Sequence, residues 1–260
     1  MDRIICLTEE TVETLYLLGR QDLIVGVSQY VERPPGAINN HPIVSQFIRS
    51  DIEQIVNLRP DLVIGFSDLQ KDIASSLIGR GLNVLVTNQR SLNEILNNIL
   101  LLGRLIGEEA KATALIRGFE DKLRHFENLS RQNKYRPKVY FEEWDKPHYS
   151  CIQWVSELIY AVGGENIFKH KTGAMARDRE VTNQEIIEQD PDIIFGCWCG
   201  KKVDLHSFSL RPGFKQVKAV KNQAIWELSP AIYLQPGPAL FVDGLDQMYQ
   251  KIQGILDLDV

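Results

Sequence analysis

The amino-acid sequence predicts an α/β protein in which two similar lobes are joined by a single long backbone helix. Three features of the 260 residues predict this fold. Short apolar runs alternate with helical patterns in both halves, a long proline-free stretch separates the halves, and one local motif occurs once in each half. The predicted parts are an N-terminal lobe over 1–91, a bridging helix region over 92–135 and a C-terminal lobe over 136–260.

The first half alternates predicted strands and helices. Its strands are short apolar runs rich in Ile, Val and Leu, which do not alternate with polar residues and are therefore typical of parallel strands covered on both faces. The helices carry apolar residues at steps of three and four. The predicted strands cover 3–7, 23–27, 61–66 and 84–86, and the predicted helices cover 11–18, 51–58 and 73–78.

The bridging region contains no proline between Ser91 and Arg131, and its apolar residues recur at helical spacing. Gly103 and Gly107 predict that one helix ends there and a second begins. The second helix, over 108–131, would be ~36 Å long at 1.5 Å per residue. That length suits a rigid connector between two lobes, although a long helix packed within one domain is the alternative.

The second half repeats the alternation. Strands are predicted at 138–142, 192–196 and 224–228, and helices at 154–162, 183–189 and 240–256.

The two halves share a motif, which occurs at 53–66 and again at 184–197. Each copy consists of a helix, a Pro-Asp pair, an apolar strand and a glycine, in the same register. Helix, Pro-Asp and strand is also a common local solution, because proline ends the helix and aspartate bonds within the turn. The position of the copies on opposite sides of the bridging helix favours a duplicated lobe. Two such lobes would form a ligand cleft at the carboxyl ends of their strands.

Composition excludes several classes of protein. The formal net charge of −5 gives no basic excess, so we expect no nucleic-acid partner. No run approaches the ~20 apolar residues of a membrane-spanning helix, and the chain as given begins without the apolar core of a signal peptide, which by itself indicates a cytoplasmic protein. The cysteines are too scattered for a disulfide framework or a structural zinc site, and we expect them to be thiols. They are Cys6, Cys151, Cys197 and Cys199.

Four aromatic residues fall in predicted loops or at predicted strand tips, namely Phe47, Phe66, Trp144 and Trp198. Aromatic faces offer rigid apolar area that suits a flat or macrocyclic ligand. The alternative is that each ring caps the core of its own lobe.

A cluster of acidic residues, Glu142 to Asp145, follows a predicted strand and could support acid/base chemistry. An intracellular metal-dependent enzyme or metallochaperone that uses this cluster with Cys197 and Cys199 is therefore an alternative of another class. Nothing in the sequence pairs the carboxylates with a nucleophile, and no GxSxG or HExxH motif occurs. We therefore predict that the protein is not an enzyme.

The ordered motifs of nearly the whole chain resemble the periplasmic cobalamin-binding and siderophore-binding proteins of ABC importers, the helical-backbone metal receptor superfamily. The segments that carry the resemblance are Val25-Gly26-Val27-Ser28, Pro34-Pro35, Ile52-Glu53-Gln54-Ile55-Val56, Pro60-Asp61-Leu62-Val63-Ile64, Gly163-Gly164-Glu165-Asn166-Ile167-Phe168 and Pro191-Asp192-Ile193-Ile194. The run from Gly163 to Phe168 is the most specific of them.

The resemblance implies two Rossmann-like lobes, a ligand held between them and delivery of that ligand to an ABC permease. It also implies a periplasmic or cell-surface location, and we expect a monomer. Phe47 and Phe66 align with aromatic residues that line the family's cleft, whereas a second-lobe tryptophan of the family falls near Asp178 and is missing here. Trp144 or Trp198 would substitute for it.

Two further groups of residues receive roles on this basis. Asp145 and Tyr233 complete the expected ligand contacts. Family members dock to permease arginines through one surface glutamate per lobe. Glu53 matches the first glutamate, whereas the second position is Gln184, with Glu185 beside it.

We expect the ligand to be a cobalamin-type corrinoid, with no intrinsic cofactor and no metal ligand from the protein. A ferric siderophore is the first alternative, because Arg177 and Arg179 could bind an anionic chelate. Haem is the second alternative and would need an axial ligand, for which Tyr149, Tyr233 and His206 are candidates.

Overall fold

The structure is a computed structural model that describes residues 1–171 and 173–257. The last part of the predicted C-terminal lobe, 258–260, lies outside the described residues. The chain divides into two compact units. Unit 1 comprises Met1–Gln89 and Asn93–Arg117, and unit 2 comprises Arg90–Leu92 and Gly118–Val260. The lobe boundaries at 91 and 136 stay predictions.

Unit 1 contains a parallel sheet with helices between its strands. Its strands are β1 (Ile4–Cys6), β2 (Ile24–Ser28), β3 (Ile43–Ser45), β4 (Leu62–Phe66) and β5 (Val84–Thr87), and the helices of this part of the chain are α1 (Glu9–Leu17), α2 (Ile52–Asn57), α3 (Lys71–Gly79) and α4 (Leu92–Leu105). In the described residues the order is β3-β2-β1-β4-β5, and every neighbouring pair is parallel. The central strands β1 and β4 are fully buried, which explains their uninterrupted apolar sequences.

The helix α5 (Glu109–Ser130) follows α4 and matches the prediction over 108–131 to within one residue at each end. The division between units falls inside this helix, after Arg117. Gly103 allows α4 and α5 to approach closely at their junction, because a Cβ there would lie 2.3 Å from the Cβ of Ala112. The fold class predicted from the sequence is confirmed: two α/β units with a long connecting helix.

Unit 2 contains a mixed sheet. Its strands are β6 (Lys138–Asp145), β7 (His148–Ser150), β8 (Glu165–Asn166), β9 (Glu180–Val181), β10 (Ile193–Gly196) and β11 (Ile225–Glu227), and its helices after α5 are α6 (Gln153–Ala161), α7 (Asn183–Gln189), α8 (Leu205–Leu210), α9 (Lys218–Lys221), α10 (Pro230–Tyr233) and α11 (Leu245–Leu256). Over the described part of the chain the order is β11-β10-β6-β7-β9, and β8 pairs with β6. The strands β10, β11 and β8 are parallel to their partners, whereas β7 is antiparallel to β6 and β9.

One strand differs from the prediction in a way that affects the site. The sequence predicted a strand that ends at Glu142, with Trp144 after it. The strand β6 instead continues through Asp145 and returns as β7, so Trp144 lies in a hairpin rather than after the strand. The antiparallel partner supplies backbone hydrogen bonds to a segment whose side chains alone do not favour a strand.

The repeated motif has the same local structure in both units. Within unit 1, the Asp61 carboxylate accepts hydrogen bonds from the backbone N–H groups of Asp2 and Arg3 at 2.6 and 3.1 Å, at the start of β1. Within unit 2, the Asp192 carboxylate accepts one from the backbone N–H of Lys138 at 2.8 Å, at the start of β6. The aspartate after the proline therefore anchors the neighbouring strand in each unit, which explains why Pro-Asp occurs twice.

The motif around Gly163 crosses between elements of unit 2. Asn166 is buried, its side-chain amide donates to Ser156 Oγ at 2.9 Å, and its side-chain oxygen accepts from the backbone N–H of Phe168 at 3.0 Å. One amide side chain thus ties β8 to α6 and to the turn that follows.

Among residues 1–171 and 173–257, no helix combines the length and the apolar character that a membrane crossing requires. All four cysteines are free thiols, as predicted.

Candidate functional site

The strand ends of unit 1 are organised by one buried amide, Gln70. Its Oε1 accepts a hydrogen bond from the backbone N–H of Phe66 at 2.8 Å, and its Nε2 donates to the carbonyl of Phe47 at 2.7 Å. The same Nε2 lies 3.4 Å from the carbonyl of Leu7, which follows β1. Three segments at the carboxyl ends of parallel strands are therefore joined, and the structure brings the two predicted aromatic residues of this unit together.

The two rings differ in accessibility. Phe66 ends β4 and is 7 % exposed. Phe47 is partly exposed and adopts a φ of 63°, a left-handed backbone conformation that is uncommon for a bulky residue. Such a conformation persists only when the surroundings hold it. The hydrogen bond from Gln70 to the Phe47 carbonyl is one such constraint.

In unit 2 the hairpin of β6 and β7 presents aromatic side chains at the sheet edge. Its register shifts between Glu142 and Trp144, which is the signature of a β-bulge. Beyond the shift, Trp144 pairs with Tyr149 and Asp145 pairs with His148. Because residues directly opposite each other share a face of the sheet, the Trp144 and Tyr149 side chains are neighbours.

The centre of this edge is a fully buried carboxylate, Glu142. Arg211 donates to it from Nη1 at 2.6 Å and from Nη2 at 2.7 Å, a bidentate pair. The Tyr140 hydroxyl donates at 2.9 Å and the Trp198 indole N–H at 3.1 Å, and His148 Nδ1 lies 3.4 Å away.

These contacts determine the charge of the group. Burial by itself raises the pKa of Glu142, but the hydrogen bonds from Arg211 and His148 outweigh it, so that its pKa lies below the ordinary value. The same pairing raises the pKa of Arg211, although burial alone would lower it. The pair is therefore ionised at neutral pH.

Next to this network, Lys201 lies between two tryptophan rings. Its Nζ is 4.2 Å from the ring centroid of Trp144, 4.8 Å from that of Trp198 and 2.5 Å from Asp145 Oδ1. We call Trp144, Trp198 and Asp145 the cation cage, because two indole faces and a carboxylate surround an ammonium group. Three residues that the sequence singled out separately are brought together here.

A cavity of about 670 Å³ lies in unit 2 at the same end of the sheet. Asp145 and Trp198 of the cation cage line it, together with His148 and Arg211. Unit 2 therefore has an open space beside the cage that a ligand could enter.

The cations around this edge are already paired with carboxylates. Besides the Arg211–Glu142 and Lys201–Asp145 pairs, the buried guanidinium of Arg179 pairs with Glu143. Arg179 is therefore engaged within the protein and does not present its charge to an anionic ligand. Arg177, the other candidate for a siderophore, is exposed and lies 3.9 Å from Asp178.

Two of the ligand-binding residues proposed from the sequence are buried and have contacts within unit 2. Tyr233 is fully buried, and its hydroxyl donates to the carbonyl of Gly244 at 3.0 Å. Trp198 is 4 % exposed and belongs to the apolar cluster that includes Tyr140 and Phe208, so it offers little ring area beyond its face toward Lys201. The Tyr233 hydroxyl therefore already has a partner within the protein, and its contact with a ligand stays a prediction. The shared cleft of Phe66, Trp144 and Trp198 stays a prediction.

The two docking glutamates have different surroundings. Glu53 lies in the first turn of α2, is exposed and pairs with Arg80. Glu185 lies one position later in α7, where its carboxylate accepts from Thr182 N at 2.7 Å in a capping box and from Lys171 Nζ at 2.8 Å. These bonds explain why the pKa of Glu185 is lowered, with the Lys171 bond contributing most. A role in docking stays a prediction for both residues.

The residues named for the enzyme alternative have other contacts within unit 2. The carboxylates of Glu142, Glu143 and Asp145 are each bound to a cation, as described above. Cys197 is buried, and burial raises the pKa of its thiol well above the ordinary value. Within the described residues, no group of three or more His, Cys, Asp or Glu side chains could hold a metal ion.

The sequence interpretation missed the residues that join these groups: Gln70, Lys201 and Arg211. Lys201 follows the Cys197-Trp198-Cys199 strand tip closely enough for its proximity to have suggested a role. Arg211 is 69 positions from Glu142, and nothing in the sequence indicates their pairing.

Comparisons with known proteins give a consistent result. A model of the periplasmic binding protein family matches residues 4–231. An uncharacterised ABC transporter substrate-binding lipoprotein, YvrC of Bacillus subtilis, is 23 % identical over 96 % of this chain and 79 % of its own length. The vitamin B12-binding protein of Vibrio cholerae is 26 % identical over 96 % of this chain and 90 % of its own length. The structure of S. aureus IsdE in complex with haem has a TM-score of 0.82 at 21 % identity and covers 97 % of this chain and 99 % of that one, which shows a shared fold.

Proposed function

The chain belongs to the periplasmic binding protein family, and from this premise we propose that it is a non-enzymatic receptor that binds a cobalt corrinoid and delivers it to an ABC importer. Proteins of this family bind solutes. The vitamin B12-binding relative supports the corrinoid, and the name of the B. subtilis relative supports an ABC transporter as the partner. The family resemblance also supports a location outside the cytoplasmic membrane.

The pairing of cations at the strand ends of unit 2 is the observation that carries the choice of ligand. Arg211, Lys201 and Arg179 are each neutralised by a carboxylate of the protein. An anionic chelate such as a ferric siderophore would have to compete with these internal carboxylates. A corrinoid has uncharged amide side chains around a large flat ring, so it needs aromatic area and hydrogen-bonding groups rather than free cations. The edge of unit 2 offers these features.

Within this proposal Trp144 provides stacking area and Asp145 accepts hydrogen bonds from ligand amides. Roles for Phe47 and Phe66 stay predictions that rest on the family resemblance. No protein side chain needs to bind the cobalt, because a corrinoid can keep its own axial ligands. Trp144 is the best placed of these residues, since it is partly exposed and its indole N–H is held by the carbonyl of Lys146 at 3.0 Å.

The experiment is a calorimetric titration of the protein and its Trp144→Ala variant with cobalamin and with cobinamide. Loss of ~80 Å² of apolar contact at about 25 cal/mol per Å² corresponds to roughly 2 kcal/mol, or ~30-fold in affinity. Tyr160→Ala is the matched control, because Tyr160 is a highly exposed aromatic residue of α6 outside the cation cage. Binding that is equally strong in both variants would remove Trp144 from the site.

Haem is a second candidate, supported by the position of Tyr149. Tyr149 pairs with Trp144 across the hairpin, so its phenol lies next to the proposed stacking ring, and tyrosine can ligate haem iron. The haem-bound S. aureus relative is consistent with this candidate. Tyr149→Phe should abolish haem binding if Tyr149 is the axial ligand and should leave cobinamide affinity unchanged. Haem binding that survives the substitution would contradict this role.

A further inference from the structure

Lys201 covers the face of the Trp144 ring on which a ligand would stack. The ring of Trp144 is held by its hydrogen bond to Lys146 and by packing against the apolar cluster of unit 2. The ammonium of Lys201 lies over that ring at 4.2 Å from its centroid. A large flat ligand can therefore stack on Trp144 only if it displaces the Lys201 ammonium from the ring.

The contacts that hold Lys201 can be exchanged. Its side chain is 40 % exposed, and it lies in the loop that follows β10, next to Gly200 with a φ of 73°. Exposed ion pairs and cation–π contacts are individually weak, because water competes for the ammonium. The residues that surround the ammonium are held more firmly, because Asp145 is mostly buried and the indole N–H of Trp198 donates to buried Glu142. The cage is therefore more rigid than its occupant.

We propose that Lys201 is a displaceable plug that fills the cation cage of Trp144, Trp198 and Asp145 until the ring of a positively charged ligand replaces its ammonium. This inference rests on the proposed function and specifies its substrate class: a large chelate ring with net positive charge and no peripheral carboxylates. When Lys201 leaves, Asp145 becomes free to accept hydrogen bonds from the ligand, and both indole faces become available for stacking.

Charge complementarity explains the selectivity. The cage surrounds the Lys201 ammonium, and its two indole faces and its carboxylate provide an environment of negative potential. A corrin that holds cobalt(III) with one neutral axial ligand carries positive charge and can replace the ammonium. A haem propionate placed there would face the Asp145 carboxylate and be repelled.

The first test measures the affinity of Lys201→Ala for aquacyanocobinamide, which is positively charged. Removal of the plug should tighten binding about fivefold to tenfold, because the ligand no longer displaces an ammonium group or meets its charge. Lys202→Ala is the matched control, since Lys202 is an exposed neighbour in the same loop, and its affinity should equal that of the unchanged protein. An affinity that is unchanged or weaker in Lys201→Ala would overturn the proposal.

The second test does not need the corrinoid. Tetramethylammonium should quench or shift the tryptophan fluorescence of Lys201→Ala at millimolar concentration, because the emptied cage can accept it. The unchanged protein and Lys201→Ala/Asp145→Asn should respond much less. If cobinamide fails to bind but this pattern is observed, the proposed ligand is wrong and the plug stands. If Lys201→Ala responds no more than the unchanged protein, the plug is wrong whatever cobinamide does.

Discussion

The replacement of Arg211 by methionine tests the account of unit 2 at its centre. Glu142 has 0 % exposure, and Arg211 is its bidentate partner. The guanidinium carbon of Arg211 lies 4.2 Å from the ring centroid of Phe208, and methionine replaces the guanidinium with an uncharged, apolar thioether. The substitution therefore leaves a buried carboxylate with only Tyr140, Trp198 and His148 as partners.

The magnitude follows from the protonation of Glu142. Removal of one member of a buried pair costs about 3 to 5 kcal/mol of unfolding free energy. The variant can limit this cost by protonating the Glu142 carboxyl. Because pH 7 lies roughly 2.7 units above the ordinary glutamate pKa and each unit corresponds to about 1.4 kcal/mol, protonation at pH 7 costs about 4 kcal/mol. We therefore expect the variant to lose about 3 to 4 kcal/mol of unfolding free energy at pH 7.

The stability difference between the two proteins should depend on pH. In the unchanged protein the folded-state pKa of Glu142 is lowered, so its contribution to stability is present above the unfolded pKa and is lost as the pH falls through the folded pKa. In Arg211→Met that pKa is raised instead, because burial is no longer offset. The difference between the two proteins should consequently shrink as the pH is lowered from 7 to 5.

Urea unfolding followed by tryptophan fluorescence measures this difference in the correct unit. All four tryptophans lie in unit 2, at positions Trp144, Trp154, Trp198 and Trp226. The control is Glu142→Gln/Arg211→Met, which removes the buried charge and should be more stable than Arg211→Met alone at pH 7. A deficit below about 1 kcal/mol that does not change between pH 7 and 5 would refute the buried-pair argument.

Two other predictions concern unit 1. Burial raises the pKa of Glu9 to about 8 even though its carboxylate accepts a hydrogen bond from the backbone N–H of Glu32, so the protein loses stability as the pH rises from about 4.5 toward 8. Glu9→Gln should remove this loss, with a gain of about 4 kcal/mol near pH 8 and none near pH 4 in thermal unfolding. A gain that is the same at both pH values would contradict this explanation. Gly65→Ala should displace Gln70, because the added Cβ would lie 2.6 Å from Gln70 Oε1. The substitution should lower the free energy of unfolding in urea by about 1 to 3 kcal/mol. It should also weaken the protection of the Phe66 amide from hydrogen exchange, since that amide donates to Gln70. Unchanged protection at Phe66 would show that Gln70 does not hold the strand end.

The elements of the fold could be predicted because their causes are local. Apolar runs, helical spacing and the Pro-Asp pairs each act within a few residues. The observed bounds of α5 accordingly lie within one residue of the predicted bounds at both ends of the helix. The continuation of β6 through Asp145 could not be predicted in the same way. Its stability depends on a partner strand and on charge pairs with distant residues, such as Lys201.

The site was predictable only in part, for the same reason. The sequence indicated Trp144, Asp145 and Trp198 as strand-end residues but did not indicate that a lysine fills the space among them. It also assigned Tyr233 to the ligand, although that side chain is fully buried and bonded to Gly244. Aromatic residues near strand ends look alike in sequence whether they contact a ligand or the core, because both environments favour the same side chains.

The most direct test of the central claim is a titration of the unchanged protein with aquacyanocobinamide, cobalamin, haem and a ferric siderophore, followed by calorimetry and visible absorption. We predict saturable binding of one corrinoid per chain with a shift of the corrin absorption bands, and much weaker binding of the siderophore. No heat and no spectral change with either corrinoid at millimolar concentration, or preferential binding of the anionic siderophore, would contradict the account.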